Sequence, residues 1–226
     1  MTTVFIISAP SGSGKSTLVN IVRDTVPNLE FSISYTTRQP RGKEKDGCEY
    51  FFISREQFES MIQRGEFLEH ARVFETDYYG TACRFRRKAE QDGSDLLLDI
   101  DVQGAEQIKR KIPEAVSIFI LPPNRAELER RLRDRSQDSE EVIQKRLRAA
   151  RREIENYQKY DYILVNDRLQ DSVETLKAIL LSERLRRNGR PDGGLSARAE
   201  SCRLEHIRER IQPIMQSFAE TAASGQ

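Results

Sequence analysis

The sequence predicts an α/β fold in which helices cover both faces of a mainly parallel sheet. Short apolar runs alternate with helical patterns along the chain, a loop of glycines and serines joins the first run to the first helix, and a later run ends in carboxylates. Strands that alternate with helices favour parallel pairing, because the helix returns the chain to the end of the sheet where the next strand starts. Carboxylates that follow a buried strand lie at the sheet edge where such folds bind ligands.

The individual elements follow from residue periodicity. Apolar or alternating residues predict strands at 4–8, 31–36, 96–101, 115–121 and 162–165. A helical pattern follows the first strand and ends before Pro27, and others occur at 56–64, 125–152 and 171–185. Residues 37 to about 81, rich in Arg, Tyr, Phe and Gly, predict an inserted, partly β subdomain.

The end of the chain differs in character. Residues 188–194 have the composition of a linker. Beyond them, apolar residues at helical spacing predict an amphipathic helix that Pro213 kinks or ends; they are Leu204, Ile207, Ile211, Ile214 and Phe218. The sequence does not indicate what this extension does.

Composition excludes several classes of function. The 226 residues are 37% hydrophobic and 32% charged, and 37 Lys and Arg nearly balance 36 Asp and Glu. At a net charge of +1, no global field favours nucleic acid or a membrane as a partner. The three cysteines and two histidines are widely separated, so free thiols and no zinc site are expected. No targeting segment or membrane span is recognisable, and a cytoplasmic location is expected.

The segment APSGSGKS, residues 9–16, follows a strand and opens a helix, as a phosphate-binding P-loop requires. Its glycines let backbone N–H groups turn inward around a polyphosphate, and the helix start adds partial positive charge. Lys15 is expected to reach the β- and γ-phosphates of ATP, and the Ser16 hydroxyl to ligate Mg²⁺. The predicted ATP-binding residues of this loop are Ala9, Pro10, Ser11, Gly12, Ser13, Gly14, Lys15, Ser16 and Thr17.

Several further motifs resemble those of the guanylate kinase family. Residues 34–41 (SYTTRQPR) and 47–52 (GCEYFF) resemble its GMP-binding signature, which 65–71 (GEFLEHA) and 78–81 (YYGT) continue. Residues 98–104 (LDIDVQG) resemble its strand-end motif. The lid and adenine-side elements are matched by Arg131, Leu132, Arg135, Arg146, Leu147 and 165–167 (VND). The similarity runs in order from about Val4 to Leu181, which is far more specific than the P-loop alone.

The resemblance implies a GMP site. Arg38 and Arg41 would bind the dianionic phosphate, which calls for cations with fork geometry, and Tyr50 and Tyr79 would donate their hydroxyls to it. The carboxylate of Glu69 would accept hydrogen bonds from the N1–H and amino groups of guanine, which adenine does not offer in this arrangement. The base edge would be contacted by Ser34 and Thr81.

Asp99 and Asp101 lie two apart on the predicted strand and would face the same side. They are expected to hold Mg²⁺ through water or to accept from the guanine amine, and the alternative for one of them is that it caps the following helix. Both are counted as GMP-binding residues, with Asp99 and Ser16 as the metal ligands. The sequence leaves open which carboxylate performs which task, and whether dGMP is accepted.

The basic segment resembles the family's lid. Arg131 and Arg135 share one helical face, and Arg146 comes from a second helix. The predicted catalytic residues, which position and neutralise the phosphates, are Lys15, Arg38, Arg41, Arg131, Arg135 and Arg146. Asn166 is predicted on the adenine side.

The fold expected from the resemblance is a P-loop NTPase-type three-layer α/β/α domain over 1–187, with an inserted GMP-binding α+β subdomain and a helical lid. The core is 1–33, 82–124 and 156–187, the insert 34–81, the lid 125–155, the linker 188–197 and the extension 198–226. ATP and GMP are the expected substrates, and monomer or homo-oligomer stays open.

Three other functions remain as alternatives. A guanylate-kinase-like scaffold domain that binds peptides usually lacks the phosphate loop, which is intact here. A kinase of the same fold that acts on a phosphorylated ribose would have no use for Glu69 and Ser34. A P-loop ATPase would need a residue that orients water, and none is identifiable in the sequence.

Overall fold

The structure, a computed structural model, describes residues 2–73, 76–135, 139–191 and 194–219, without the side chains of Val73 and Arg135. The strands are β1 (Val4–Ser8), β2 (Leu29–Ser32), β3 (Tyr35–Thr36), β4 (Phe51–Phe52), β5 (Phe67–Val73), β6 (Asp77–Ala82), β7 (Asp95–Asp99), β8 (Val116–Leu121) and β9 (Tyr162–Val165). The helices are α1 (Lys15–Thr25), α2 (Arg55–Gln63), α3 (Cys83–Asp92), α4 (Val102–Lys111), α5 (Arg125–Arg135), α6 (Glu140–Ile154), α7 (Leu169–Arg187), α8 (Ser196–Glu200) and α9 (Leu204–Ala219).

The predicted α/β fold with a mainly parallel sheet is confirmed. Five strands form the larger sheet in the order β2-β7-β1-β8-β9, and β4-β3-β6-β5 form a second sheet. In the larger sheet β2 pairs with β7, and β8 with β9, in parallel. All residues of β1 and β8 are buried, and all but Ser8 and Ser117 are apolar, as expected for strands that are covered on both faces.

By its internal contacts the chain divides into two compact units, which are described separately. The first comprises Met1–Ile6 and Pro27–Ala115, and the second Ile7–Val26 and Val116–Gln226. The helix α2 of the first unit begins with a capping box, in which Ser54 accepts from the N–H of Gln57 and the Gln57 side chain accepts from the N–H of Ser54.

Three sequence-based predictions need correction. The strand expected at 31–36 is two strands in different sheets, because β2 pairs with β7 whereas β3 pairs with β4 and β6. The strand expected to reach residue 101 ends at Asp99, and Asp101 is the N-cap of α4. Of the two effects expected of Pro213, only the ending of the helix is overturned, because α9 continues through Pro213 to Ala219 and its apolar residues on both sides of the proline are buried.

The C-terminal extension packs on the second unit. The N–H of Ile163 donates to the carbonyl of Cys202 at 2.7 Å, and the N–H of Leu204 to that of Asp161 at 3.1 Å, so residues 202–204 cover the outer edge of β9. Beside them the Glu183 carboxylate, 2% exposed, pairs with Arg203 at 2.9 Å. The apolar residues of α9 that are buried are Ile207, Ile211, Ile214 and Phe218.

The cysteines are free, as expected. All three lie in the described part of the chain, with Cys48 exposed, Cys83 half-buried and Cys202 buried. No helix of the described ranges is both long and apolar enough to cross a membrane.

Candidate active site

The phosphate loop of the second unit joins β1 to α1. Gly12 and Gly14 have φ angles of 93° and 85°, in the left-handed region that only glycine enters without strain. As the N-cap of α1, Gly14 provides no capping side chain, and the first turn of the helix has no acidic residue. The loop therefore presents the start of α1 to an anion. The Ser13 hydroxyl is buried and has no hydrogen-bond partner among the described residues.

Helix α5 packs directly on this loop. A Cβ atom at Gly12 would lie 2.8 Å from Leu132 Cδ2 and 3.0 Å from Leu128 Cδ1, so glycine is required by the contact as well as by its φ angle. Both leucines are fully buried. The position of α5 and the shape of the loop therefore depend on each other.

Arg131 is hydrogen-bonded to Asn166, and Asn166 is hydrogen-bonded to the phosphate loop. Asn166 Nδ2 donates to the carbonyl of Ser13 at 2.8 Å, and Arg131 Nη2 donates to the carbonyl of Asn166 at 3.0 Å. Arg131 Nε also donates to Glu127 at 2.7 Å. Hydrogen bonds from Arg130 and Arg131 lower the pKa of Glu127 to about 2, which keeps this carboxylate charged. Asn166, predicted on the adenine side, thus holds the phosphate loop itself.

A cavity of about 300 Å³ opens beside the loop and α5. Its lining consists of Gly12, Gly14, Ser16, Thr17, Arg130, Arg131 and Asp134. Lys15 is half-buried, and the Ser16 hydroxyl stands on an exposed residue at the start of α1. From α6, Arg146 Nη2 donates to Ser11 Oγ at 2.8 Å, so a second predicted lid arginine reaches the loop. The side chain of Arg135 lies outside the described part of the chain.

A second cluster lies in the first unit around Arg38, which is 8% exposed. Its Nε donates to the Tyr79 hydroxyl at 3.0 Å, and its guanidinium lies over the ring of Tyr50 at 5.1 Å. The two terminal nitrogens donate to the two carboxylate oxygens of Glu44 at 2.7 and 3.0 Å. This paired hydrogen bond raises the pKa of Arg38 and lowers that of Glu44, so both stay charged.

Arg41 joins this cluster through a backbone hydrogen bond, and its charge also helps to lower the pKa of Glu44. Its N–H donates to the Glu44 carboxylate at 2.7 Å, whereas the residue itself is exposed. Glu44 therefore binds both segments that carry the two predicted phosphate-binding arginines. Arg38 and Tyr79, both predicted to bind the phosphate, are in contact, and Tyr50 packs edge-on to Tyr79 at 5.8 Å between ring centroids.

Glu69 and Thr81 face each other across neighbouring strands. They are directly paired in the register of β5 and β6, with exposures of 4% and 0%. Burial raises the pKa of Glu69 to about 7, and the nearby Asp101 charge acts in the same direction. The side chain and the backbone N–H of Thr81 act against this and lower the pKa of Glu69, although the Thr81 hydroxyl makes no hydrogen bond of good geometry with any described residue. A buried carboxylate beside a hydroxyl that can take a better partner is compatible with a polar ligand pocket. Ser34, between β2 and β3, is half-buried.

The two aspartates after β7 have different positions. Asp101 accepts from the N–H of Gly104 at 2.8 Å and so caps α4, near enough to Glu69 to influence its pKa. Asp99 is the last residue of β7 and is half-buried. The alternative in which one carboxylate caps the following helix therefore applies to Asp101.

Sequence reasoning missed the residues that hold the predicted ones in place. Glu44 orients Arg38, and Gly104 lies against the Glu69 carboxylate. On α4, Gln107 and Lys111 hydrogen-bond to the backbone of β5. Gly104, Gln107 and Lys111 follow one another at spacings of three and four residues, and this was the available signal, because it places all three on one helix face.

Comparison with known proteins places these features in a family. The guanylate kinase family model matches residues 1–183. A guanylate kinase from Koribacter versatilis is 55% identical over 223 residues, covering 96% of this chain and 95% of that protein. One from Escherichia coli strain K12 is 50% identical over 186 residues, covering 81% of this chain and 89% of that protein. Among solved structures, a guanylate kinase from Anaplasma phagocytophilum has a TM-score of 0.66 at 32% identity, covering 88% of this chain and 94% of that one.

The coverage also bears on the extension. The family model ends at residue 183, before α8 and α9. The Koribacter match, at 96% of this chain, leaves too few residues unmatched to omit most of the extension. On the matching family model and on two relatives at 50% identity or more over most of their length, the chain belongs to the guanylate kinase family.

Proposed function

We propose that this chain transfers the γ-phosphoryl group of ATP to GMP, forming ADP and GDP in purine nucleotide metabolism. The observation that carries the choice of acceptor is the Glu69 pocket. A buried carboxylate next to the Thr81 side chain suits a base edge that offers two neighbouring N–H donors, as guanine does. The adenine edge offers one amino donor beside the acceptor N1, so one oxygen of the ionised carboxylate would face an acceptor, which is unfavourable in a buried pocket.

The two phosphate sites follow from charge and geometry. The backbone of the loop at 9–14, the start of α1 and Lys15 suit the phosphates of ATP. For the monophosphate of GMP, Arg38 with Tyr79 and Tyr50 provides a cation and hydroxyl groups, with Arg41 close by in the sequence. Glu44 occupies the terminal nitrogens of Arg38, so a bound phosphate would share this arginine with Glu44 or displace it.

No general base is required in this reaction, because a phosphate oxygen of GMP is already an anionic nucleophile. That oxygen forms a bond to the γ-phosphorus as the bond to the ADP oxygen breaks, and the electron pair leaves with ADP. The contribution of the protein is to position the two phosphates in line and to neutralise charge on the transferred group. Arg131 and Arg146, which already contact the loop, are the lid arginines proposed for the second task, together with Arg135.

A magnesium ion is proposed to accompany ATP. Ser16 and Asp99 would hold it, since a hydroxyl at the start of α1 and a carboxylate at the end of a strand are the hard oxygen donors that Mg²⁺ prefers. When bound, the ion would neutralise part of the negative charge of the ATP phosphates. The Asp101 carboxylate, which caps α4, is assigned to the guanine side. ATP and GMP are cytoplasmic nucleotides, so the reaction is proposed to take place in the cytoplasm.

The test is ADP formation by the purified full chain with ATP, Mg²⁺ and one acceptor at a time. Turnover with GMP, but not with AMP, CMP, UMP or a ribose phosphate, is expected. Lys15→Ala should abolish it, and Glu69→Ala should reduce kcat/KM for GMP by roughly 10²–10⁴-fold, the range for a site that loses a hydrogen-bonding partner of its substrate. Turnover with another acceptor, or ATP binding without any turnover, would refute the proposal.

A further inference from the structure

One face of α4 is attached to β5 on both sides of Glu69. Gln107 Nε2 donates to the carbonyl of His70 at 2.8 Å, and the N–H of His70 donates to Gln107 Oε1 at 3.3 Å. One helical turn later, Lys111 Nζ donates to the carbonyl of Leu68. The backbone before and after Glu69 is therefore fixed to α4, and Glu69 cannot move away from the helix without breaking these hydrogen bonds.

The third position on this face is Gly104, and the Glu69 carboxylate fills the space beside it. A Cβ atom at residue 104 would lie 2.7 Å from Glu69 Oε2 and 3.1 Å from Glu69 Cδ. It would also lie 3.4 Å from Asp101 Oδ1. A distance of 2.7 Å is well inside van der Waals contact, so a methyl group and this carboxylate position exclude each other.

The backbone conformation does not require a glycine at residue 104. Gly104 is in the first turn of α4 and is absent from the described residues with positive φ. Alanine would suit the helix better by intrinsic propensity. Of the two reasons for a glycine, unusual φ and close approach, only close approach applies here.

The carboxylate has little space into which it can retreat. Glu69 is 4% exposed, its strand neighbour Thr81 is fully buried, and Asp101 carries a like charge on the same side. A side chain at 104 would therefore rotate the carboxylate out of its position or push α4 away from β5. In both cases the two oxygens would no longer lie where the pocket places them.

We propose that Gly104 is a specificity-determining residue that positions Glu69. The absence of a side chain at residue 104 leaves the space that the Glu69 carboxylate occupies when it binds guanine. The inference deepens the proposed function and rests on it. It predicts that Gly104 affects the use of GMP and leaves the phosphate loop, in the other unit, unchanged.

The first test compares Gly104→Ala with the wild type and with Gln103→Ala, an exposed residue in the same turn. Gly104→Ala should lower kcat/KM for GMP by roughly tenfold to a hundredfold, the effect of displacing a binding group by up to about 1 Å. The affinity for ADP, measured by calorimetry without any acceptor, should stay within twofold. Gln103→Ala should leave both quantities unchanged.

A double-mutant cycle with Glu69→Asp identifies the cause. The shorter side chain withdraws the carboxylate by one methylene and makes room for a methyl group at 104. In the Glu69→Asp background, Gly104→Ala should therefore cost no further kcat/KM and should raise Tm by about 1–4 °C, as alanine in a helix of a chain this size does. A role limited to folding would give the same loss in both backgrounds.

The inference would be wrong if Gly104→Ala retained kcat/KM for GMP within twofold, or if its effect were equal in the two backgrounds. These outcomes differ from a failure of the proposed function. That failure would appear in the wild type, as an absence of turnover with GMP, before any variant is considered.

Discussion

The raised pKa of Glu69 predicts that guanine binding weakens as the pH falls below 7. In the free protein burial holds this pKa at about 7. Only the ionised carboxylate accepts hydrogen bonds from both N–H donors of guanine, so binding selects the deprotonated form. About nine-tenths of the protein is ionised at Glu69 at pH 8 and about one-tenth at pH 6, given this pKa. The dissociation constant should thus be about tenfold larger at pH 6 than at pH 8.

The assay should use guanosine in place of GMP, because the second pKa of a phosphate monoester, about 6, falls within the same range. Calorimetric titrations of the full chain with guanosine at pH 6, 7 and 8 would give the three dissociation constants. Glu69→Gln, which keeps the shape without a titrating group, is the matched control, and its weaker binding should not depend on pH. A flat wild-type profile, or an equal slope in Glu69→Gln, would refute the reasoning.

The same group gives a second observable with a defined sign. Its folded-state pKa is raised from 4.5 to about 7, so its contribution to stability is fully present below about pH 4.5 and is lost as the pH rises through 7. The magnitude is about 3 kcal/mol for this nearly buried group. The free energy of unfolding of Glu69→Gln minus that of the wild type should therefore increase by about this amount between pH 4.5 and pH 8. A constant difference in urea unfolding across this range would show that Glu69 is not held protonated.

Three further predictions concern other parts of the chain. Gly14→Ala should abolish ADP binding in calorimetry, because the new Cβ would lie 2.4 Å from Asn166 Nδ2 at a φ angle of +85°; retained binding would exclude this tight loop packing. Arg38→Lys should raise KM for GMP by roughly tenfold or more while KM for ATP stays within twofold, since an ammonium group cannot replace a planar guanidinium fork. An equal rise of KM for both nucleotides would contradict a role of Arg38 confined to binding GMP. Arg203→Met should lower the free energy of unfolding by about 1.5–3 kcal/mol, the range for a hydrogen bond to a charged group, because it removes one partner of the buried Glu183 carboxylate while Arg186 and Tyr162 remain. Unchanged urea unfolding of Arg203→Met would show that the extension is not integral to the fold.

Much of the chemistry was readable from local patterns. The loop from Ala9 to Ser16 needs a strand, glycines and a helix start in direct succession, and these are sequence-local features, so its context was predicted correctly. The α/β class followed from the alternation of apolar runs and helical patterns for the same reason. Family resemblance placed Arg38 and Tyr79 at one phosphate, and the structure brings their side chains within hydrogen-bond distance of each other. The roles proposed for the individual site residues, and the domain boundaries, stay predictions.

Local sequence patterns did not predict which distant segments pair with each other. Residues 31–36 alternate like a single strand. Alternation does not show that β2 pairs with β7 in one sheet while β3 pairs with β6 in another. The pattern at 96–101 likewise did not reveal that the strand stops at Asp99, so that Asp101 caps a helix.

The sequence by itself determined the class of fold, the phosphate loop and the family to which the chain belongs, because each depends on residue types at short, fixed spacings. Only the tertiary structure decided that Glu44 holds Arg38, that Gly104 leaves room for Glu69, and that the extension covers the edge of β9. These three features depend on contacts between residues from 6 to 43 positions apart, as in the pairs Arg38 with Glu44 and Asp161 with Leu204. Such contacts are set by packing and burial of the whole unit, which no local pattern encodes.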